Sequence, residues 1–388
     1  MGDDPMTPPL DPPLTNGPFG LRLKDRDVKH IKISEAQKVY EVYEFKEEIG
    51  HGSFGVVVMA IEKAMNRSWA IKIVHKNIAG TNKLTEVDRE IKILKVVSHP
   101  NIIYLEKVYE SPKKIYMVLE LCQRELFKVY LDQKPFSEKV TKKVILQLAY
   151  AVSYLHKNGN IVHRDVKMEN ILLADRNQSQ DEYFIKLTDF GLSIVKSGVG
   201  IKSLMTDYCG TITYMPPEIL QMKTYSELCD VWAIGVILFM MLYGRSPFMD
   251  KTDERISFKI CNDEPDYEDH EVSAEAIELL QAILNKDPVQ RVTALQITEN
   301  QWLNNKRTTG NKHKDQNIVD MMKQFRNETT PPNTAANRVA RGLSLLDGMF
   351  DYSTTRLSQK SGASNANKFN QLAVTHLPIL ANQKTDLP

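Results

Sequence analysis

The segment "IVHRDVKMENILL", Ile161 to Leu173, decides how this chain is read. It opens and closes on short apolar runs of β character, with His163, Arg164, Asp165, Lys167 and Asn170 between them. These polar groups make chemical sense only together. Asp165 can accept the proton of a hydroxyl, or orient that hydroxyl. Lys167 can neutralise charge on a phosphoryl group in transit. Asn170 offers a carbonyl oxygen to a hard cation. A second segment, "LTDFGLS" (Leu187 to Ser193), adds Asp189 as another cation ligand at a strand end and Gly191 as a hinge.

Upstream, "GHGSFGVVV" sets Gly50, Gly52 and Gly55 around His51, Ser53 and Phe54. A plain hairpin turn is the competing reading of this stretch. A dinucleotide fingerprint needs a helix after the third glycine. Here Val56, Val57 and Val58 leave as a strand, which fits a glycine flap whose backbone N–H groups approach phosphates closely. No GxxxxGK[ST] motif occurs, so a Walker-type ATPase is not supported. The strand "SWAIKIV" then places Lys72 where it can reach nucleotide phosphates, although a lone strand lysine is usually a solvated edge residue. Such a lysine needs an acidic partner. Glu90, just before the apolar "IKIL", is chosen over Glu86, and exposed i,i+4 pairing is the alternative for both.

The totals agree with a globular protein: 388 residues, 42% apolar and 26% charged. A net charge of +1 gives no signal for nucleic acid or an anionic membrane. Cys122, Cys209, Cys229 and Cys261 lack CxxC spacing, which argues against zinc or a disulfide framework and fits a reducing compartment, the cytoplasm or the nucleus. The acidic, proline-rich start is no signal peptide, and Met6 with Asp3 and Asp4 argues against myristoylation of Gly2. "VWAIGVILFMMLY" (Val231 to Tyr243) is too short to span a bilayer and reads as a buried helix.

Composition predicts an unstructured proline-rich segment over 1–40, a dense apolar region over 43–303, and a polar tail over 304–388 with one short amphipathic helix near 316–326. The dense region begins strand-rich. One helix, "TEVDREIKILKVVS", interrupts the strands with Val87, Ile91, Leu94 and Val97 at helical spacing. It then turns helical, with Ser137 as an N-cap and Gly159 as a stop for the first long helix. Further helices are expected near 226–243 and 273–284. The fold class is α+β in two lobes: a β-rich lobe over 43–121 and a helical lobe over 124–303.

In order and spacing, the glycine flap, AIK lysine, HRDxKxxN loop and DFG motif resemble a eukaryotic protein kinase over 43–303. The resemblance implies a bilobal kinase fold with ATP and two Mg²⁺ in the cleft. It implies Val57 and Ala70 above the adenine, Leu172 below it, Leu119 as gatekeeper, and Glu120 to Cys122 as the hinge. It also implies a structural Glu218–Arg291 pair, and Asp230 as the helix aspartate that holds the catalytic loop. Lys167, two residues after Asp165, is the serine/threonine pattern. "CGTITYMPPE" and "NQWL" are similar to the calcium/calmodulin-dependent group; "ELC", "ENQWL" and "VDMMKQF" look most like the serine/threonine-protein kinase 33 subgroup. Met168 stands where proline is usual, and "LELCQRELF" is one residue short after the hinge.

The same resemblance implies protein substrates with an arginine three residues before the target hydroxyl, read by Glu169 and Glu125; ordinary surface carboxylates are the alternative. Arg341 stands three residues before Ser344, so Ser344 matches that substrate pattern. Ile318, Val319, Met322 and Phe325 form one helical face, which can dock on the helical lobe or bind calmodulin, although Asp315 and Asp320 weigh against calmodulin. The competing class is a pseudokinase scaffold. Lys72, Asp165, Asn170 and Asp189 are all present and favour an enzyme. The resemblance also implies that Asp189 to Glu218 is the activation segment, in which Thr211 would contact Asp165 and Lys167. Asp207 stands where the resemblance implies a phosphorylated threonine opposite Arg164; its smaller charge would hold Arg164 only in part, a solvated Asp207 in a loop ordered only on binding is the alternative, and Thr206 is a further candidate switch. Pro216, where alanine is usual, stiffens the end of this segment.

Overall fold

The computed structural model describes residues 26–52, 55–174, 182–196, 205, 209–268 and 271–304. Ser53, Phe54, Thr206, Asp207, the Ile318–Phe325 face and Ser344 therefore lie outside the described residues.

The first lobe is a six-stranded sheet with one long helix. In chain order it comprises β1 (Lys29–Lys32), α1 (Gln37–Val42), β2 (Tyr43–Gly52), β3 (Gly55–Glu62), β4 (Arg67–His75), α2 (Lys76–Val96), β5 (Leu105–Glu110) and β6 (Lys114–Glu120). The sheet order is β1-β5-β6-β4-β3-β2, antiparallel except that β1 runs parallel to β5. Strand side chains alternate between faces. In β4 the alternation sends Ile71 and Ile73 into a small outer cluster with Ile33, Val39 and Tyr43. Ala70 and Val74 turn to the main core, where Val87, Ile91 and Leu94 of α2 pack. Lys72 shares that second face, which directs it toward α2.

Two expectations change here. Ordered structure starts well before residue 43: β1 and α1 occupy part of the stretch expected to be unstructured. The tetrapeptide "KHIK" is almost wholly exposed and carries no core pattern, so its strand state comes from pairing with β5. The helix also begins earlier, at Lys76, and bends at Gly80 (φ 69°), a left-handed conformation that glycine adopts without strain.

The second lobe begins with β7 (Cys122–Glu125), α3 (Leu126–Gln133) and α4 (Glu138–Asn158). Ser137 caps α4 by accepting from the Val140 amide at 3.4 Å, and α4 stops at Gly159, as expected. Next come β8 (Ile161–Val162), β9 (Ile171–Ala174), β10 (Ile185–Leu187) and β11 (Ile194–Val195). Two small sheets form, β10-β9-β7 and β11-β8. The rest is helical: α5 (Pro217–Leu220), α6 (Leu228–Tyr243), α7 (Asp253–Asn262), α8 (Ala274–Ile283), α9 (Ala294–Glu299) and α10 (Gln301–Asn304). The apolar run read as a core helix is α6, buried from Cys229 to Leu242. Among the described residues no helix is long and apolar enough to cross a membrane.

Candidate active site

Lys72 and Glu90 meet at 2.6 Å, with Glu90 only 2% exposed. Glu86 instead pairs with Lys83 at 2.5 Å. Burial works against the Lys72 ammonium, but the charges of Glu90 and Asp189 outweigh it and hold its pKa above the ordinary lysine value. Burial likewise opposes the Asp189 carboxylate, yet Lys72, then His163 and the Gly191 amide, keep its pKa below the usual aspartate value. Asp189 therefore stays charged beside Lys72. Arg89, next to Glu90 on α2, donates to the Gly191 carbonyl at 2.8 Å. That bond ties the helix to the segment holding Asp189.

The loop between β8 and β9 is built around Asp230 at the start of α6. Its two oxygens accept the amides of His163 and Arg164, each at 2.8 Å, and His156 reaches the same carboxylate at 2.8 Å. Burial raises the Asp230 pKa, but His156, His163 and these bonds lower it further, to below the ordinary value. Anchored this way, Arg164 takes a left-handed backbone (φ 67°). Asp165 follows with its Oδ2 filled by the Asn170 amide at 2.9 Å and Lys167 at 2.8 Å. Lys167 also donates to Thr211 Oγ1 at 3.3 Å, so Asp165, Lys167 and Thr211 form one chain of contacts. The Asn170 NH₂ is spent on the Asp165 carbonyl (2.8 Å) and carboxylate, which leaves its carbonyl oxygen available to a cation. The Thr188 amide bonds the backbone carbonyl of Asn170 at 2.9 Å, which sets Asn170 beside Asp189 and leaves the side-chain oxygen Oδ1 untouched by this bond. Among the described residues no three His, Cys, Asp or Glu side chains form a metal cluster.

The nucleotide-side residues gather on the facing strands. Val57 pairs with Lys72, and Ala70 with Leu119, across β3, β4 and β6. Leu172 and Cys122 pack against the same core. The Glu120 carboxylate bonds buried Lys186 at 2.8 Å and the Tyr104 amide at 2.7 Å, while the Glu120 amide bonds the Tyr104 carbonyl at 3.0 Å. Gly55 also has a second reason to be glycine. A Cβ there would lie 1.8 Å from the Ile73 carbonyl oxygen, so close β3–β4 pairing alone requires it. Gly50 and Gly52 stand in β2, and His51 is largely exposed beside Glu48 at 3.4 Å.

Other contacts carry less sequence signal. The Arg164 guanidinium donates to the Leu192 carbonyl at 2.7 Å and the Tyr225 hydroxyl at 3.3 Å. Tyr225 is a partner that motif reading does not find. Glu169 accepts from the Tyr214 hydroxyl at 3.3 Å, and Glu125, ahead of α3, pairs with Lys128 at 3.1 Å. Met168 is fully buried in the core, which explains why an apolar side chain is accepted there. Glu218 and Arg291 form the expected buried pair, at 2.7 and 3.0 Å.

A family model described as the protein kinase domain matches residues 43–303. Mouse serine/threonine-protein kinase 33 is 40% identical over 310 residues, 77% of this chain and 62% of the relative. The bovine protein of the same name is 39% identical, over 66% of its length, so the chain spans less than two thirds of these relatives. Rat calcium/calmodulin-dependent protein kinase type 1B is 36% identical over 69% of this chain and 77% of its own. Myosin light chain kinase A of Dictyostelium discoideum is 35% identical over 69% and 89%.

Proposed function

Because this chain belongs to the protein kinase domain family, we propose that it transfers the γ-phosphate of ATP to serine or threonine hydroxyls of proteins. The observation that carries this reading is the Lys167 ammonium shared between Asp165 Oδ2 (2.8 Å) and Thr211 Oγ1 (3.3 Å). It joins the candidate base to the segment on which an extended peptide would lie.

The donor set suits Mg²⁺, which takes one or two protein oxygens and fills its shell with water and phosphate. Asp189 and the Asn170 carbonyl oxygen would supply those protein oxygens. Bound there, the cation would neutralise phosphate charge. The residues of the chain do the rest. Lys72, fixed by Glu90, holds the ATP phosphates in line. Asn170 and Lys167 occupy Asp165 Oδ2, which leaves Oδ1 to accept the substrate hydroxyl proton. Lys167 is then placed to offset charge building on the phosphoryl group as it moves.

Glu169 and Glu125 would read a basic residue upstream of the target hydroxyl. In support, α3, which Glu125 precedes, packs on the turn that contains Glu169. The similarity to rat calcium/calmodulin-dependent protein kinase type 1B supports calmodulin as a partner of residues 318–325. The wide spacing of Cys122, Cys209, Cys229 and Cys261, without a CxxC pair, supports a reducing compartment, the cytoplasm or the nucleus. The test is transfer of labelled γ-phosphate to a basic protein by the full chain and by Asp165→Asn. Transfer by the first and near loss in the second is expected. Equal transfer by both removes Asp165 from its role, and no transfer by the full chain favours the scaffold reading.

A further inference from the structure

The helix that carries Glu90 is held at its far end by a residue outside the family match. Arg26 lies against the last turn of α2. Its amide donates to the Lys95 carbonyl at 3.2 Å. Its guanidinium donates to the carbonyls of Leu94 (3.3 Å) and Val97 (3.2 Å), and to that of Leu105 at the start of β5. The same group lies 4.0 Å over the Tyr104 ring. The last carbonyls of a helix have no partner within it, and they form the negative end of its dipole. A planar cation with several N–H groups satisfies both needs at once.

The residues that follow extend the hold. The Val28 amide bonds the Arg26 carbonyl at 2.7 Å, and β1 then runs along β5 to Ile33, whose amide bonds the Glu110 carbonyl at 2.9 Å. His30 reaches the Glu110 carboxylate at 2.7 Å, and Lys76, the first residue of α2, reaches its other oxygen at 2.7 Å. Residues 26–33 thus form a strap linked to both ends of α2. From the other lobe, the Tyr154 hydroxyl of α4 accepts the Ser98 amide at 2.9 Å, just past the helix. Between these fixed ends α2 presents Glu90 to Lys72 and Arg89 to Gly191.

We propose that Arg26 is a positioning residue: by clamping the end of α2 it sets Glu90 where Lys72 requires it, so the nucleotide site depends on a segment ahead of the family match. This rests on the phosphotransfer reading above for its effect on rate, though not for its effect on the helix.

The test uses the full chain with Arg26→Ala, Arg26→Lys and Val39→Ala. Val39 is fully buried in the outer cluster of the same lobe and makes none of the α2 carbonyl contacts. Hydrogen bonds from a charged group are worth enough to expect about tenfold faster amide exchange over residues 86–97 in Arg26→Ala, and about a tenfold lower kcat/KM for ATP. Arg26→Lys should recover only part of each, because an ammonium cannot span three carbonyls with a planar fork. Val39→Ala should lower the melting temperature while leaving that exchange and kcat/KM near wild type. Unchanged exchange in Arg26→Ala overturns the proposal, as does faster exchange with unchanged kcat/KM. Val39→Ala reproducing both changes also overturns it. The exchange measurement needs no catalysis, so a wild-type chain that transfers no phosphate refutes the activity without deciding the clamp.

Discussion

Glu218 and Arg291 face each other across 73 residues of sequence in a two-pronged ion pair, with side chains 4% and 0% exposed. Arg291 also donates to the Leu228 and Asn285 carbonyls at 3.0 Å each, and its guanidinium lies 5.0 Å over Trp232. One residue thus ties the end of the activation segment to α6 and to the turn after α8. Removing one partner strands a buried charge, at a cost of about 3–5 kcal/mol. Arg291→Ala should therefore lower the urea midpoint strongly, and Glu218→Gln should lower it less, since an amide still fills the space. A midpoint within experimental error of wild type for Arg291→Ala would contradict the structural role.

Thr211 accepts from Lys167 on the exposed floor of the site. Its hydroxyl matters only while Lys167 must hold one position during transfer, so its loss should appear in kcat and not in ATP affinity. Partial solvation tempers the ordinary value of such a bond. Thr211→Val should reduce kcat about three- to tenfold, with Thr211→Ser close to wild type. Steady-state kinetics at varied ATP would check this. A raised KM for ATP with unchanged kcat would argue against the contact.

Asp230 contributes stability that is lost in acid. Its pKa is lower folded than unfolded, despite burial, because His156, His163 and the loop amides favour the charged form. The sign follows from linkage: the unfolded chain takes up the proton first. The contribution is whole above about pH 4, near the unfolded value, and is lost as pH falls toward the lower folded value. Stability against urea, followed from pH 5.5 to about 3, should fall more steeply in wild type than in Asp230→Asn, which is weaker throughout. Parallel slopes would remove Asp230 from this account.

The sequence carries these features unequally, for physical reasons. Asp165, Lys167, Asn170 and Asp189 are legible because their chemistry requires given side chains at short fixed spacings within two loops. Lys72 and Glu90 follow because strand alternation and helix pitch decide which face each occupies. Arg26 is illegible because its acceptors are backbone carbonyls 68 to 79 residues away, which leave no mark on residue type. Exposed "KHIK" is likewise strand only through its neighbour β5. Gly55 shows the reverse difficulty: one residue type answers both a phosphate and the Ile73 carbonyl, and pattern alone credits the first.

Lys186 and Glu120 are also outside motif reading in their actual role. They pair at 2.8 Å, both 7% exposed at the side chain, and join β10, which leads into the Asp189 segment, to the end of β6 at the hinge. Glu120 further accepts the Tyr104 amide at 2.7 Å, so its carboxylate would be left charged and buried without Lys186. Lys186→Met alone should destabilise by about 3–5 kcal/mol, because it removes only one partner. Adding Glu120→Leu should recover much of that loss, since an apolar pair of similar volume avoids the desolvation cost, although the Tyr104 amide loses its acceptor. A double-mutant cycle read by denaturant midpoints would give the coupling. If the pair also fixes the hinge backbone, the stable double variant should still show a raised KM for ATP with kcat preserved, because adenine contacts bind the ground and transition states alike. Additive losses in the cycle would show that the two side chains act separately.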